Sequence, residues 1–449
     1  MAYVAPFRAL RYDPSRVDVS KAITQPYDKI TPEMQDRYYA ATPYNVVRVI
    51  LGKRSPERPN NNVYTRAAGF FSVWRHQGIV LQDIEPSIYC YSQRFTIPGG
   101  TTPLERRGFI ALGRIEDYAA GMVFRHEQTL SKPKADRLEL LRATKAHFGQ
   151  IFMLYNDSGQ VESLLTVETI PDIEVTDEYG VLHRVWKVSE PAVIDAVREQ
   201  MRDKKLIIAD GHHRYETALA YRNERRLAAQ GAMASAGSRH QCSGTAVLDE
   251  QSGDAPHDWV MMTFVNMNSP GLVILPTHRV VHGLTSFSTD SFVKRARNYF
   301  NVEEVDTNAD AHRATGFLQL AGRTGTALLA VTPDRDLLLH TPRSEARLFE
   351  GLSLRQQSLD VVQLHRVLLH NVLGLSEESI RNQENLSYVR DTGEAIQRVR
   401  DSGANIAFLM NAVGIGQVRD IAFAGEVLPQ KSTDFYPKLL TGLTIYVLD

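Results

Sequence analysis

One stretch constrains this chain more than any other: Lys205-Leu206-Ile207-Ile208-Ala209-Asp210-Gly211-His212-His213-Arg214-Tyr215-Glu216-Thr217-Ala218-Leu219. The apolar run from Leu206 to Ala209 predicts a buried strand, and Asp210-Gly211 predicts the turn that ends it. From Tyr215 onward, Tyr215, Ala218, Leu219 and Tyr221 recur at helical spacing. Two histidines and an arginine are therefore expected where a strand hands over to a helix N-terminus. Backbone N–H groups lack intrahelical acceptors there, and the helix dipole favours an anion. Gly211 allows close backbone approach, and Arg214 can hold a phosphate or carboxylate through two parallel hydrogen bonds. A phosphate cradle is the sharp reading, and an ordinary strand–turn–helix with loop histidines stands beside it. A metal centre fits less well, because adjacent histidines on such a turn diverge. Neither Cys90 nor Cys242 falls into ligand spacing with them.

Composition narrows what the cradle could serve. The chain has 449 residues, 43% hydrophobic and 23% charged, with net charge −1. Such a balance suits a globular protein with a sizeable core and gives no electrostatic reason to expect nucleic acid as the main partner. Two cysteines cannot form a disulfide framework, which fits a reducing compartment. The first ten residues lack the apolar core of a signal peptide, and no apolar run approaches the length of a membrane span. The expectation is a cytoplasmic protein.

Along the chain, Thr31-Pro32-Glu33 predicts a helix start, and Asn45 to Leu51, rich in β-branched residues, predicts a strand. Val63 to Gly78 predicts a helix whose stripe of Ala67, Phe70, Phe71 and Trp74 is core packing. Ile88–Ile97 and Arg107–Leu112 predict an antiparallel hairpin, Lys134–Thr144 a helix, and Ile151–Tyr155 a buried strand. A second hairpin is expected around Glu178-Tyr179-Gly180, then a helix over Val193–Met201. Ala228 to His257, rich in glycine, serine and alanine, predicts a mobile loop. Trp259–Asn266 and Leu272–Leu275 read as strands, the latter ending in His278 and Arg279 as a second junction carrying cationic and imidazole groups. Farther on, a helix over Ser288–Phe300, strands at Thr326–Ala330, Leu337–His340 and Ile406–Met410, and a helix over Val418–Ala424 are expected. An amphipathic helix over Leu359–Leu373 carries His365 and His370, expected to be structural or exposed. In the tail, Lys431, Ser432, Thr433 and Lys438 could bind an anion, although exposed solubilising residues are the ordinary reading.

Several of these stretches, taken together and in order, resemble the family known as domain of unknown function 1015. They are Pro6-Phe7-Arg8, Pro26-Tyr27-Asp28, Asn45, His126-Glu127-Gln128-Thr129, Lys134-Ala135-Asp136-Arg137-Leu138, the Asp210–Arg214 core, Pro276-Thr277-His278-Arg279 and Lys431-Ser432-Thr433. The core also resembles the motif of the ParB and sulfiredoxin-like superfamily, whose members include free-serine kinases using ADP or ATP. The resemblance implies nucleotide-phosphate contacts at Gly211, His212, His213 and Arg214. It also implies a role for Asp210 in Mg²⁺ coordination or in orienting a substrate hydroxyl. His126, His278, Arg279, Lys431, Ser432 and Thr433 are the further substrate or anion contacts. The catalytic carboxylate of free-serine kinases has three counterparts to weigh, Glu127, Asp28 and Glu190, with Glu127 first because its neighbours belong to the pattern. Sulfiredoxin chemistry needs a cysteine where His212 stands, and no basic helix-turn-helix of the ParB kind is present.

These readings converge on an α+β fold with mixed sheets around a central ParB/sulfiredoxin-like strand–loop–helix unit. Three regions are expected, 1–175, 176–285 and 286–449, with a homodimer among the expected assemblies. The leading functional expectation is a nucleotide-dependent phosphotransferase acting on a small hydroxylated metabolite such as free L-serine, with ATP or ADP and Mg²⁺. The alternatives are a non-catalytic nucleotide- or anion-binding regulator, and a scaffold tied together by buried polar networks.

Overall fold

A computed structural model describes residues 1–127, 132–237, 255–305, 310–343 and 346–448. The chain forms an α+β protein of two units. The first comprises Met1–Arg125, Thr129–Val273 and Pro437–Asp449, and the second His126–Gln128 and Ile274–Tyr436. The expected boundaries at 175 and 285 do not follow these units. Ile173–Thr176 and Leu182–Val188 pair within one sheet, so the break at 175 would cut a hairpin of the first unit.

The first unit is built on a nine-stranded sheet. Its order is Val123–Phe124, Leu206–Asp210, Ile151–Tyr155, Trp259–Asn266, Pro103–Arg114, Ile88–Thr96, Leu182–Val188 and Ile173–Thr176, with Val4–Ala5 pairing off Pro103–Arg114. Most neighbours are antiparallel, but Leu206–Asp210 runs parallel to Val123–Phe124, and Trp259–Asn266 parallel to Ile151–Tyr155. The fully apolar strands lie at the centre, as buried strands must. Phe109, Ile151, Met153, Ile208, Tyr215 and Phe264 share one core. The aromatic stripe of the helix Val63–His76 is core as expected, with Phe71 and Trp74 buried. Thr31 caps the helix Pro32–Ala41 by accepting from the Met34 N–H, which is what its sequence signature implies.

The second unit has a six-stranded sheet in the order Asn301–Val305, Asp336–His340, Ala327–Val331, Ile406–Met410, His278–Val281 and Leu386–Val389. All of its pairings are antiparallel. The helices Ala311–Ala321 and Thr392–Arg400 cover one core, through Ala314, Leu318, Ala395 and Val399. No described helix is long and apolar enough to cross a membrane.

Three expectations are corrected. Asn45–Leu51 is not a strand but contains a short helix, Val47–Ile50, with Val47, Val49 and Ile50 all buried. The Asn45 side chain accepts from the Val47 N–H at 2.8 Å and donates to the Lys21 carbonyl. A local cap and burial together override β propensity here. The segment expected as a loop from Ala228 starts as helix, because the central helix continues to Gly237 through alanine and glutamine, both good helix formers. Residues 238–254 of that segment lie outside the described residues, as do Gln128 and Thr129 of the His-Glu motif. Finally, His278 and Arg279 do not end a strand facing a loop. Pro276-Thr277 breaks the chain, and both side chains lie buried inside the next strand, His278–Val281.

Asp360 opens the helix Asp360–Gln363 and accepts from the Ala327 N–H and the Thr326 hydroxyl. Burial outweighs those bonds and raises its carboxyl from 3.8 to about 6. A raised carboxyl stabilises the fold fully below the unfolded value and loses that contribution as pH rises through the folded one. Asp360→Asn keeps a carbonyl acceptor and has no charge to bury. Its stability relative to wild type should therefore rise between pH 4 and 6 by up to about 3 kcal/mol and stay level above. Urea unfolding at several pH values measures this, and a difference independent of pH would refute it.

Candidate functional site

The strand Leu206–Asp210 delivers Asp210 to the sheet edge with a one-residue irregularity at Ala209, where pairing skips from Ile208↔Met153 to Asp210↔Phe152. Gly211 follows at φ +91°, a backbone that other residues adopt only with strain. A Cβ there would also stand 3.0–3.1 Å from the Arg214 guanidinium. The helix begins at once, with Tyr215 N–H bonding the Gly211 carbonyl at 2.9 Å.

Asp210 organises what surrounds this junction. Its Oδ1 accepts from the Gly211 N–H at 2.7 Å, so the carboxylate caps the entrance to the helix. Oδ2 lies 3.0 Å from Lys438 Nζ, and Arg214 Nη2 stands 3.9 Å from Oδ1. Burial alone would raise this carboxyl, but Lys438, Arg214 and Lys29 prevail and hold it far below the usual carboxylate range. Asp210 is therefore a fixed negative charge. A general base needs a pKa nearer the working pH, so orientation suits this carboxylate better than proton abstraction. Lys438 is itself held by its backbone: Gln93 Nε2 donates to the Lys438 carbonyl at 2.9 Å, and Arg106 Nη2 to the Pro437 carbonyl at 2.5 Å. Arg106 is 1% exposed, and burial lowers its pKa to about 10.

Arg214 leads from this cluster into a cavity of about 610 Å³, counting its open mouth, that also presents Arg137, Tyr27, Thr217, His147 and Phe148. Its guanidinium donates to the Gln150 carbonyl. Arg137 lies 4.2 Å from the centre of the Tyr27 ring, donates to the Ile50 carbonyl at 2.6 Å and is gripped by Asp136. His147 stacks on Tyr446, and burial lowers its pKa to about 4, so it is neutral at physiological pH. The cavity thus offers two fixed guanidinium groups beside an apolar and aromatic wall. Three segments far apart in sequence meet here: Pro26-Tyr27-Asp28, Lys134–Leu138 and Asp210–Arg214.

Among the expected contacts, Arg214 lines the cavity, whereas Gly211, His212 and His213 do not. His212 is buried and His213 half-buried in the first helical turn. The weighed alternatives Asp28 and Glu190 are both exposed.

The remaining expected residues gather in the second unit. His126 is fully buried, and its Nε2 lies 2.8 Å from Thr433 Oγ1. Glu127 Oε1 accepts the backbone N–H groups of Lys431 and Ser432, with Lys431 in the left-handed region at φ +57°. Arg279, fully buried, donates to the carbonyls of Thr277 at 2.5 Å and Lys431 at 3.1 Å. His278 accepts from the Met410 N–H at 3.3 Å and pairs with Thr392 Oγ1 at 3.0 Å. Burial brings its pKa down to about 4. Glu127 and Arg279 thus clamp the 430–432 backbone from opposite chemical sides, one taking N–H groups and the other carbonyls.

Residues 4–362 match the family described as "Protein of unknown function (DUF1015)". The chain belongs to this family. No curated protein matches it. Solved structures similar to this DUF1015 member include a conserved hypothetical protein from Pyrococcus furiosus. That match has 12% identity and TM-score 0.33 over 70% of this chain and 87% of the other. A free serine kinase in complex with AMP matches with 13% identity and TM-score 0.32, over 72% of this chain and 89% of the kinase. C-terminally truncated SbnI from Staphylococcus aureus matches with 9% identity and TM-score 0.31, over 74% and 85%.

Tyr27 and Arg137 were not singled out as cavity groups in the sequence, although both stand in motif segments, Pro26-Tyr27-Asp28 and Lys134–Leu138. The supports Gln93 and Arg106 were not singled out either. Their signal was available, since an arginine and a glutamine on the inward side of a hairpin in a DUF1015 chain need buried partners. The described residues hold no group of three or more His, Cys, Asp or Glu side chains arranged for a metal ion. Asp210, the carboxylate considered for Mg²⁺, is already engaged by Lys438 and Arg214.

Asp210→Asn should leave Lys438 and Arg214 without their counter-charge. Because the Asp210 side chain is a quarter exposed, the loss should be about 1–3 kcal/mol rather than the larger cost of breaking a fully buried pair. Millimolar inorganic phosphate should restore part of the lost Tm, more than it adds to wild type. An unchanged Tm would remove Asp210 from the centre of this cluster.

Proposed function

We propose that this protein is a nucleotide-dependent phosphotransferase acting on a small hydroxylated metabolite, with free L-serine the first substrate to try. One observation carries the reading: three motif segments far apart in sequence converge on a cavity that pairs two guanidinium groups with an apolar wall. A nucleotide has this composition, a flat apolar base joined to a polyanion. Phosphoryl transfer asks mainly for positioning and charge neutralisation. Arg214 and Arg137 would take the phosphates, with the first-turn N–H groups of His212 and His213 adding the helix-terminus contribution. Asp210 would hold Lys438 and Arg214 in place. Glu127 is the proton acceptor that the motif resemblance favours, with His126, His278, Arg279, Lys431, Ser432 and Thr433 as its supporting anion contacts.

A second reading, a non-catalytic nucleotide- or anion-binding regulator, is favoured by how the carboxylates are engaged. Asp210 is held ionised by cations, and Glu127 caps the backbone of 431–432. Neither stands in this structure as an available base.

Calorimetry with ATP and ADP, followed by mass spectrometry for phosphoserine in the presence of serine and Mg²⁺, separates the two. Nucleotide binding with phosphoserine formation is expected; binding without any product leaves the regulator, and no nucleotide binding removes the phosphotransferase and the nucleotide-binding form of the regulator. Arg214→Ala should weaken nucleotide binding roughly 10- to 100-fold, the effect of losing charge-assisted hydrogen bonds. Glu127→Gln keeps an oxygen for the Lys431 and Ser432 N–H groups, and should spare binding while abolishing turnover. Undiminished turnover in Glu127→Gln would move the base elsewhere.

A further inference from the structure

The second unit contains a cavity that the motif segments do not account for. Its volume is about 200 Å³. One wall is the helix Asp360–Gln363, which runs on into a π-helical stretch, Leu364–Val372. Leu373 N–H there bonds the Leu368 carbonyl, five residues back, at 2.8 Å. Such widened turns have poorer backbone geometry than the α-helix and recur at functional sites. His365 and His370 both lie on this stretch and both line the cavity.

The two histidines differ. His370 Nδ1 has a partner, the Leu375 carbonyl at 3.0 Å. His365 Nε2 is closed off from solvent and has no hydrogen-bond partner among the described residues. Arg279 Nε is in the same position, although the terminal nitrogens of that guanidinium are bonded. Burial, and after it the charge of Arg279, depress the His365 pKa, and the Arg279 guanidinium lies 5.1 Å from the ring of Tyr388, another lining residue. A buried polar group left unpaired costs about 1–3 kcal/mol, so His365 Nε2, on a residue that lines the cavity, calls for an account.

Charge at the mouth supplies one. Arg366 is matched by Glu377 at 2.8 Å. Arg381 is exposed and makes no ion pair or hydrogen bond among the described residues. Leu352, Val362, Ile380 and Val427 make much of the remaining wall apolar. One unmatched cation, an imidazole able to donate a hydrogen bond, and an apolar body of space define a ligand with a single negative charge and a hydrocarbon portion. We propose that this cavity binds a small organic carboxylate, its head group at Arg381 and His365 and its apolar part against Val362 and Ile380. A phosphate dianion would bring more charge than the one unmatched cation neutralises. Most of these residues follow residue 362, where the family match ends.

The test is calorimetry on the full chain with three probes: hexanoate, hexylamine and inorganic phosphate. Hexanoate should bind saturably at one site, and hexylamine should not bind. Arg381→Gln, on the surface and unable to unfold the chain, should weaken hexanoate roughly tenfold, as expected for one charge-assisted hydrogen bond. Ile380→Trp should abolish binding by filling the cavity, with circular dichroism confirming an intact fold. Arg214→Ala, in the first unit, should leave hexanoate affinity unchanged, which separates this site from the nucleotide reading. Absence of hexanoate binding, or equal affinity in Arg381→Gln and Ile380→Trp, would overturn the proposal. Phosphate binding that Arg381→Gln removes, with no hexanoate binding, would overturn the carboxylate assignment.

Discussion

The Asp210 carboxylate, shared by the Gly211 N–H, Lys438 and Arg214, is the interaction on which the first unit's chemistry depends. It joins three levels of structure. Locally it caps a helix whose N-terminal N–H groups would otherwise lack acceptors. At the level of tertiary structure it ties a residue from the C-terminal tail to the central strand, across 228 positions of sequence. Electrostatically it lets two cations sit together beside a cavity, a placement that repulsion and desolvation would otherwise oppose. Gln93 and Arg106 extend the arrangement by holding the 437–438 backbone from which Lys438 reaches Asp210.

Much of this was legible in the chain, and what was not has physical causes. Apolar runs such as Ile151–Tyr155, Trp259–Asn266 and Ile406–Met410 became strands over those same residues, because burial on both faces leaves a short apolar segment few other fates. The junction at Asp210–Arg214 was legible for a similar reason: a strand, a glycine and a helix start leave one geometry. Asn45–Leu51 misled because propensity is weaker than burial together with the Asn45 side-chain bond to the Val47 N–H. Lys438 was visible only as one cation in a proline-punctuated tail. Its pairing with Asp210 is a contact at long sequence separation, which no local pattern encodes. The same holds for Arg137, whose surroundings in sequence are those of a solvated helix face, while its guanidinium lies over the Tyr27 ring.

His126, Glu127, His278, Arg279 and Lys431–Thr433 show the opposite use of the same residue types. Here the polar groups face one another. Glu127 accepts N–H groups, Arg279 donates to carbonyls, His126 pairs with Thr433, and His278 bridges Met410 and Thr392. Burial keeps His278 neutral, which suits an imidazole that accepts a backbone N–H through Nδ1. Networks of this kind fix a loop conformation and contribute specificity to the fold. Motif residues thus divide between a cluster that opens on a cavity and a cluster that closes on the chain itself.

That division bears on which chemistry the protein can perform. A catalytic base must meet the proton it takes, and Glu127 Oε1 is occupied by the backbone N–H groups of Lys431 and Ser432. Turnover through Glu127 therefore requires the 430–432 backbone to give up those bonds when substrate is bound. A regulator requires no such change, since binding alone uses the cavity as it stands. Phosphotransferase and regulator thus differ less in the residues they use than in whether the turn at Lys431, with its left-handed backbone, can move.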